Sequence, residues 1–230
     1  MNDNDNNNEK VENSDNGMTD KVGFDVSGHI LIRDKDSGEE LVNKRNAIHY
    51  GNLGYLISQA LSNQDNKIVH FMSFGNGATS VDSSGKVIYK STNTSESRET
   101  DASLYRKTFA KVVSNTAQNS DQANNKLEVI EGSGFTDMKI TCTLGLNEPA
   151  GQASFDTSTS NEGDYIFDEL GLMTYVDGAN ATTASSSGEL LTHVVFHPVQ
   201  KSLNRIIEVI YTLRIPVSYT HLTLPTKRIV

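Results

Sequence analysis

The sequence has one cysteine, no tryptophan and only four prolines among its 230 residues. The single cysteine, Cys142, excludes a disulfide framework within the chain and a zinc site built from several cysteines. No apolar run approaches the roughly 20 residues that a membrane-spanning helix requires. The first ten residues, MNDNDNNNEK, have neither the basic nor the apolar region of a secretory signal peptide. We therefore expect a soluble protein that is made inside the cell.

Positive charge is also scarce. The chain has 20 Lys and Arg against 29 Asp and Glu, which gives a formal net charge of −9. Proteins that bind nucleic acid generally carry basic surfaces that neutralise phosphates. The excess of acid thus argues against general binding of DNA or RNA. The length suits one domain, or at most two small ones, and allows a core without covalent staples.

Both ends differ from the middle of the chain. Residues 1–21 are rich in Asn and Asp and contain only three apolar side chains, too few to offset the entropy of ordering the segment. We expect a disordered acidic arm there, either a solvated tail or a docking arm. Residues 217–226, VSYTHLTLPT, match the translation of a transposase adapter used in sequencing libraries. We therefore expect 217–230 to be a non-native tail, with a genuine strand or binding tail as the alternative.

The segment between the ends, 22–216, is expected to form a single β-rich domain. In the stretch 135–144 apolar and polar side chains alternate, as they do in a strand with one buried face. Cys142 lies on the apolar side and is interpreted as a small hydrophobic residue rather than a reactive thiol. Similar segments, separated by loops rich in Ser, Thr, Asn and Gly, lie at 26–33, 40–43, 67–74, 87–90, 107–113, 125–130, 165–167, 170–175, 190–197 and 204–215.

Many short strands with polar loops predict an antiparallel β-sandwich or a barrel-like domain. The residues expected to be mainly core are Phe74, Met138, Ile140, Cys142, Leu144, Phe167, Leu170, Leu172, Val195, Ile207 and Val209. In the stretch 135–144, Asp137 and Lys139 lie on the face that is expected to contact solvent.

One segment, at about 47–62, has the spacing of a helix. Asn46 is placed to cap it. Its expected apolar stripe comprises Ile48, Leu53, Leu56, Ile57, Ala60 and Leu61. Gly51 and Gly54 each lower the intrinsic helix stability by about 1 kcal/mol, so we expect them to allow close packing against a sheet.

Two glycine-containing motifs have simple structural explanations. The spacing Asp34-x-Asp36-x-Gly38 is similar to the start of a calcium-binding loop but lacks the remaining ligands, so it predicts a turn within a hairpin. Gly75 and Gly77 follow a strand, but the Lys-Ser/Thr of a phosphate-binding loop is absent. That pair predicts a tight exit from the strand with positive φ.

The remaining polar residues give little support for catalysis. His193 and His197 lie four apart on one strand, about 13 Å along it, which is too far for both to bind one metal ion. Asp168 and Glu169 could supply a carboxylate, but acid–base catalysis needs a second group placed by the tertiary structure. We expect no catalytic residue, no metal and no cofactor.

A set of short motifs resembles a virion structural protein of tailed bacteriophages, of the type found in T4-like marine phages. The resemblance covers about 26–215. The motifs are GHILIRDKDSG at 28–38 with NKRNAIH at 43–49, FGNGA at 74–78, NEPAGQ at 147–152, and FDELGL at 167–172 with LLTHVVFHPVQK at 190–201.

The resemblance implies a noncatalytic subunit of the tail, baseplate, neck or an appendage, made in the host cytoplasm and present in the virion. Its implied partners are further copies of itself, as a homo-oligomer, and other virion proteins, with no nucleic acid and no membrane. One alternative is a head decoration protein. Another is a glycan-binding module on a host-recognition fibre, although the absence of tryptophan counts against it. The candidate stacking residues for that module are Tyr89, Tyr105, Tyr165 and Tyr175.

Overall fold

A computed structural model describes residues 26–64, 68–150, 165–175, 188–202 and 204–216. In these ranges the chain forms twelve strands and one helix. The strands are β1 (Ser27–Asp34), β2 (Glu40–Arg45), β3 (Ala47–Ile48), β4 (Val69–Gly75), β5 (Thr79–Val81), β6 (Val87–Tyr89), β7 (Lys107–Val112), β8 (Lys126–Gly132), β9 (Phe135–Leu144), β10 (Ile166–Thr174), β11 (Thr192–Gln200) and β12 (Ile207–Pro216), and the helix is α1 (Tyr50–Leu61). The expected acidic arm and the expected adapter-derived tail lie outside the described residues.

The strands form two five-stranded antiparallel sheets and a separate hairpin. Sheet 1 has the order β2-β1-β12-β9-β8, and sheet 2 has the order β3-β11-β10-β4-β7. Within the described ranges, strands β5 and β6 pair only with each other. The chain is therefore mostly β with one helix, and its two sheets pack as a sandwich, as the alternating pattern predicts.

The main core lies between the two sheets, where apolar side chains of both meet in one cluster. Ten of the eleven predicted core residues are buried, and the exception is Met138, which is partly buried. Asp137, which was expected to contact solvent, is buried as well. The Arg214 side chain covers it and donates two hydrogen bonds, 2.8 and 2.7 Å long, to its carboxylate. Those hydrogen bonds hold the pKa of Asp137 below its usual value.

The helix is shorter than predicted and begins differently. Residues 47 and 48 form β3, which pairs with Thr192 and His193 of β11. His49 is the N-cap, and its Nδ1 accepts a hydrogen bond from the backbone N–H of Asn52 at 3.3 Å. The prediction of Asn46 as the cap is wrong, because its amide donates instead to the hydroxyl of Tyr211.

The apolar stripe predicted for the helix is buried only over its first half. Leu53 and Leu56 join the main core, whereas Leu61 at the end of α1 is exposed. The prediction that Gly51 and Gly54 allow the helix to pack closely against a sheet is wrong. A Cβ on Gly51 would overlap the backbone of residues 97 and 98 in a loop, and one on Gly54 would meet no atom of the described residues within 4 Å.

Two strand predictions also change. The segments 165–167 and 170–175 are parts of one strand, β10. Strand β5 is not among the predicted strand segments; it pairs with β6 in a short hairpin. The turn predicted at Asp34–Gly38 is present, with φ of +75° at Gly38 and with the Asp34 carboxylate accepting hydrogen bonds from the N–H groups of Asp36 and Ser37.

Residues 91–106, here called the strap, contain no helix or strand. The strap covers the outer face of sheet 2, and its Ala102 and Leu104 form a second apolar cluster with Phe71 and Met173 of the sheet. Both faces of the central strands of sheet 2 are thereby buried. No helix among the described residues is long and apolar enough to cross a bilayer.

Candidate functional site

Two neighbouring carboxylates lie at the centre of sheet 2, on β10. Asp168 and Glu169 are 2 % and 0 % exposed. The pairing register between β10 and β11 shifts between Phe167 and Glu169. This irregularity allows both consecutive side chains to reach loops of the chain, whereas in a regular strand they would point to opposite faces. We call Asp168, Glu169 and His193 the carboxylate hub.

Glu169 accepts four hydrogen bonds inside the protein. Its Oε1 accepts from the backbone N–H groups of Gly77 at 3.1 Å and Arg106 at 2.8 Å. Its Oε2 accepts from the N–H of Tyr105 at 2.9 Å and from Nε2 of His193 at 3.1 Å. Burial alone would raise the pKa of Glu169, but these donors together lower it. The side chain is thus a buried carboxylate with its acceptor positions filled.

The partner of Nδ1 determines which ring nitrogen of His193 carries the proton. Nδ1 lies 2.8 Å from the backbone nitrogen of Asn93, which can only donate. Nδ1 is therefore the acceptor, and the ring donates its proton from Nε2 to Glu169. The side chain of Asn93 in turn donates to the carbonyl of Ser103 at 2.8 Å. The pair of Glu169 and His193 therefore fixes both ends of the strap.

Asp168 holds the chain that leaves β4. It accepts hydrogen bonds from the backbone N–H groups of Ala78 at 3.1 Å and Thr79 at 2.8 Å, and from the hydroxyl of Thr79 at 2.5 Å. The loop 76–79 is thus tied to β10 by both carboxylates of the hub.

Gly75 and Gly77 are needed for close approach rather than for positive φ. Positive φ among the described glycines occurs at Gly38, Gly85 and Gly134, so the predicted backbone conformation is wrong here. A Cβ on Gly75 would lie 2.5 Å from the carbonyl oxygen of Arg106, and one on Gly77 would lie 2.7 Å from the backbone nitrogen of the same residue. The absence of side chains lets the loop and the strap reach one carboxylate.

A second polar anchor fixes the middle of the strap. Asn52 on α1 is fully buried, and its amide donates to the carbonyls of Glu99 at 2.8 Å and Leu190 at 2.9 Å. Its Oδ1 accepts the N–H of Glu99 at 2.8 Å. Both N–H groups and the oxygen of the Asn52 amide are therefore paired.

The two histidines considered as a metal pair have separate partners. His193 belongs to the hub, whereas His197 is exposed and its Nδ1 lies 3.1 Å from the hydroxyl of Tyr89. Among the described residues, no group of three or more His, Cys, Asp or Glu side chains could hold a metal ion.

The single cysteine, Cys142, is fully buried, and this burial raises the pKa of its thiol to about 12.

A buried lysine, Lys201, lies just beyond β11 and is 1 % exposed. Its ammonium donates to the carbonyl of Ser202 at 3.0 Å. Burial lowers the pKa of Lys201 to about 8, with the charge of Glu148 acting in the opposite direction. Nearby, Lys111 pairs with Glu148 and donates to the carbonyl of Thr143 at 2.6 Å. Lys111 and Glu148 border an open cavity of about 570 Å³.

The four tyrosines considered for glycan stacking do not form one surface. Tyr165 and Tyr175 flank opposite ends of β10, and both are only partly exposed. Tyr89 and Tyr105 are 50 % and 44 % exposed. The ring of Tyr105 is in contact with the ammonium of Lys90, 4.4 Å from the ring centroid, so part of its surface is already covered.

Sequence reasoning identified Asp168 and Glu169 as a possible carboxylate pair but not what they bind. It missed Asn52, Asn93 and the strap, for which the sequence has no signal beyond polarity. Chemically, the hub fixes loops: its carboxylates and its ring nitrogens are all engaged by groups of the chain itself.

Residues of three of the short motifs meet at the hub. FGNGA supplies the N–H groups of Gly77 and Ala78, FDELGL supplies both carboxylates and LLTHVVFHPVQK supplies His193. Two further motifs, at 28–38 and 43–49, also contact each other: the side chain of Asn46 occupies the space that a Cβ on Gly28 would need.

Comparisons with protein families, with curated proteins and with solved structures found no match for this chain.

Proposed function

We propose that the chain is a noncatalytic structural subunit of a tailed-phage virion, in the tail, baseplate, neck or an appendage. It works by assembling with copies of itself and with other virion proteins, after synthesis in the host cytoplasm. The observation that carries the proposal is that three of the motifs resembling such proteins converge on one interior hub.

The chemistry of the hub suits a structural role. Each carboxylate oxygen accepts from groups of the chain, and each nitrogen of His193 already has a partner. A buried pair of this kind stabilises a particular arrangement of loops, because removing either partner leaves an uncompensated polar group. Its effect is to fix the strap and the β4–β5 loop on the sheet.

The surface supplies elements that suit assembly. The strands at both edges of sheet 1, β2 and β8, each have one side without a partner strand within the described part of the chain. On β8 the side chain of Asn115 binds the outward N–H and C=O of Leu127, and the rest of that edge has no partner strand. Such edges present free N–H and C=O groups to other chains. Exposed apolar side chains on β8 add area that a neighbouring subunit could cover.

Analysis of purified particles tests the proposal. Virions of a tailed phage that encodes this chain, banded on a density gradient, should contain it in several copies per particle by quantitative mass spectrometry. A nonsense mutation in its gene should give particles that lack one morphological part in electron micrographs. Detection of the chain in infected cells but not in banded particles would refute the proposal.

Two alternatives are separated by related measurements. A head decoration protein would copurify with isolated heads rather than with tails. A glycan-binding module is favoured by one observation, the half-exposed ring of Tyr89 beside His197. A glycan array would show saturable binding that Tyr89→Ala abolishes and that Tyr165→Ala leaves intact.

A further inference from the structure

Strand β8 forms an edge of sheet 1 that is only partly closed. Its pairing with β9 is regular, so the backbone groups of successive residues point alternately toward β9 and away from it. The side chain of Asn115 binds the outward N–H and C=O of Leu127, at 3.4 and 2.8 Å. The next outward groups, on Val129 and Glu131, have no partner among the described residues. The free part of this edge therefore begins after Leu127.

The free edge carries an exposed apolar side chain on each face of the strand. Val129 lies on the face of the core, opposite Met138, and Ile130 lies on the outer face, opposite Asp137. They are 67 % and 44 % exposed. No single surface patch includes both, because their side chains point in opposite directions. A further strand added to the sheet contacts both, since cross-strand neighbours meet on each face of a sheet.

We propose that two copies of this chain pair through the free part of β8, antiparallel and about a two-fold axis at Ile130. The inference rests on the proposed function and names one contact of self-assembly. Val129 of each copy then lies opposite Glu131 of the other, and their outward N–H and C=O groups bond to each other. Ile130 faces its own counterpart, so sheet 1 continues from one copy into the next.

The neighbouring registers are disfavoured by residues of the same edge. Outward groups can pair only with outward groups, so the nearest alternative two-fold axes lie at Val129 and at Glu131. An axis at Val129 would place Glu131 opposite Leu127, whose outward groups Asn115 already binds. An axis at Glu131 would place two glutamates directly opposite each other, which is destabilising. The axis at Ile130 avoids both conflicts.

Cysteine cross-linking of the full-length chain reports the register. Ile130→Cys places two thiols in a non-hydrogen-bonded pair whose Cα atoms are about 4.5 Å apart, within the range of a disulfide. Under mild oxidation this variant should run mostly as a covalent dimer on a non-reducing gel. Glu128→Cys, on the same face, is the matched control. Its two thiols would lie four residues apart, about 13 Å along the strands, and should not cross-link. The native Cys142 is fully buried and does not compete.

A proline on the free edge tests the hydrogen bonding. Sedimentation velocity over a range of concentrations should show a monomer–dimer equilibrium for the unmodified chain. Val129→Pro removes an outward N–H and none that faces β9, so β8 keeps its place in the sheet. The dissociation constant of the dimer should rise about tenfold or more, as for a hydrogen-bonding group left unpaired in a contact. Val129→Thr keeps the N–H and the branched shape, and should leave the dissociation constant nearly unchanged.

Three results would each overturn this contact. They are an unmodified chain that stays monomeric at all concentrations, a dimer that Val129→Pro does not weaken, and cross-linking that is stronger in Val129→Cys or Glu131→Cys than in Ile130→Cys. The outcome is independent of the test of function. A chain found in virions whose Ile130→Cys variant does not cross-link would refute the contact alone, whereas absence from virions would refute the proposed function.

Discussion

The inner face of sheet 2 is covered by sheet 1, whereas its outer face is covered by the strap. The inner side is held by a large apolar cluster. The outer side has a small cluster, and the strap that covers it is tied by hydrogen bonds to Glu169, His193 and Asn52. One sheet thus uses apolar packing on one face and directional polar contacts on the other. The difference shows how a segment without regular structure can still have a fixed position.

The largest effect is expected for Glu169→Ala. The change leaves three backbone N–H groups and the Nε2–H of His193 without their acceptor, and loss of one partner of a buried charged cluster costs about 3–5 kcal/mol. Urea denaturation measures the loss in the free energy of unfolding. Hydrogen exchange should also accelerate selectively in the strap.

Leu172→Ala on the inner face is the matched control. It should lower the free energy of unfolding by about 2–5 kcal/mol without selectively accelerating hydrogen exchange in the strap. A loss below about 1 kcal/mol for Glu169→Ala, the net value of one ordinary hydrogen bond, would contradict the role of the hub.

A smaller effect is expected for Asn52→Ala. Its amide makes three hydrogen bonds to the backbone of Glu99 and Leu190. Each buried backbone group that the substitution leaves unpaired lowers the free energy of unfolding by about 1–3 kcal/mol. Because the strap loses its anchor, its proteolysis should be faster in Asn52→Ala than in the unmodified chain. Ser58→Ala, on the exposed side of α1, is the control. Equal proteolysis of both variants would show that Asn52 does not anchor the strap.

The stability of the protein is expected to depend on pH through His70, which lies on β4 between β10 and β7 of sheet 2. Burial lowers the pKa of His70 below its ordinary value of 6.5, and its Nε2 has no hydrogen-bond partner among the residues that the structure describes. The unfolded chain therefore binds the proton more tightly than the folded chain. This contribution lowers stability as the pH falls below about 6.5, by at most about 1.4 kcal/mol per pH unit, and leaves it unchanged above that value.

His70→Asn removes the titrating group and keeps a polar atom near Ser114. Thermal denaturation between pH 7 and pH 5 should show a flatter slope for this variant than for the unmodified chain. His29→Asn, at an exposed position, is the control substitution. An unchanged slope in His70→Asn would show that this ring does not control the acid sensitivity.

The smallest effect is expected for deletion of residues 217–230, which tests the proposal that they are not native. Strand β12 ends at Pro216, which has no backbone donor to continue a ladder. The free energy of unfolding should change by no more than about 0.5 kcal/mol, as for surface changes. A loss of several kcal/mol by urea denaturation would show that the segment belongs to the fold.

Patterns within one segment predicted much of the fold. Strand β9 was predicted with its observed ends, because the alternation in 135–144 is regular and its buried face is set by Ile140, Cys142 and Leu144. The helix start was predicted wrongly, because residues 47 and 48 pair with β11, which is distant in the sequence. Alternation also could not show that Arg214 covers Asp137.

For the site, the sequence predicted only which types of residue are present and not what they contact. The sequence shows two adjacent acids, but their acceptor positions are filled by N–H groups from residues 77–79 and 105–106, which long-range packing brings to β10. The same contacts explain why the glycines before residue 78 were misinterpreted. Their small size matters for a contact across the fold, which no local pattern records.

The position of β12 in sheet 1 has a consequence for folding. Strand β12 lies between β1 and β9, and among the described strands it alone joins the two hairpins of this sheet, β1–β2 and β8–β9. The register pairs Ser27 with Arg214, a contact of very large sequence separation. Contacts of that kind slow folding, because a long loop must close before they form. We therefore expect sheet 1 to close only after residues 207–216 have left the ribosome, which makes closure of the sandwich a late step of folding.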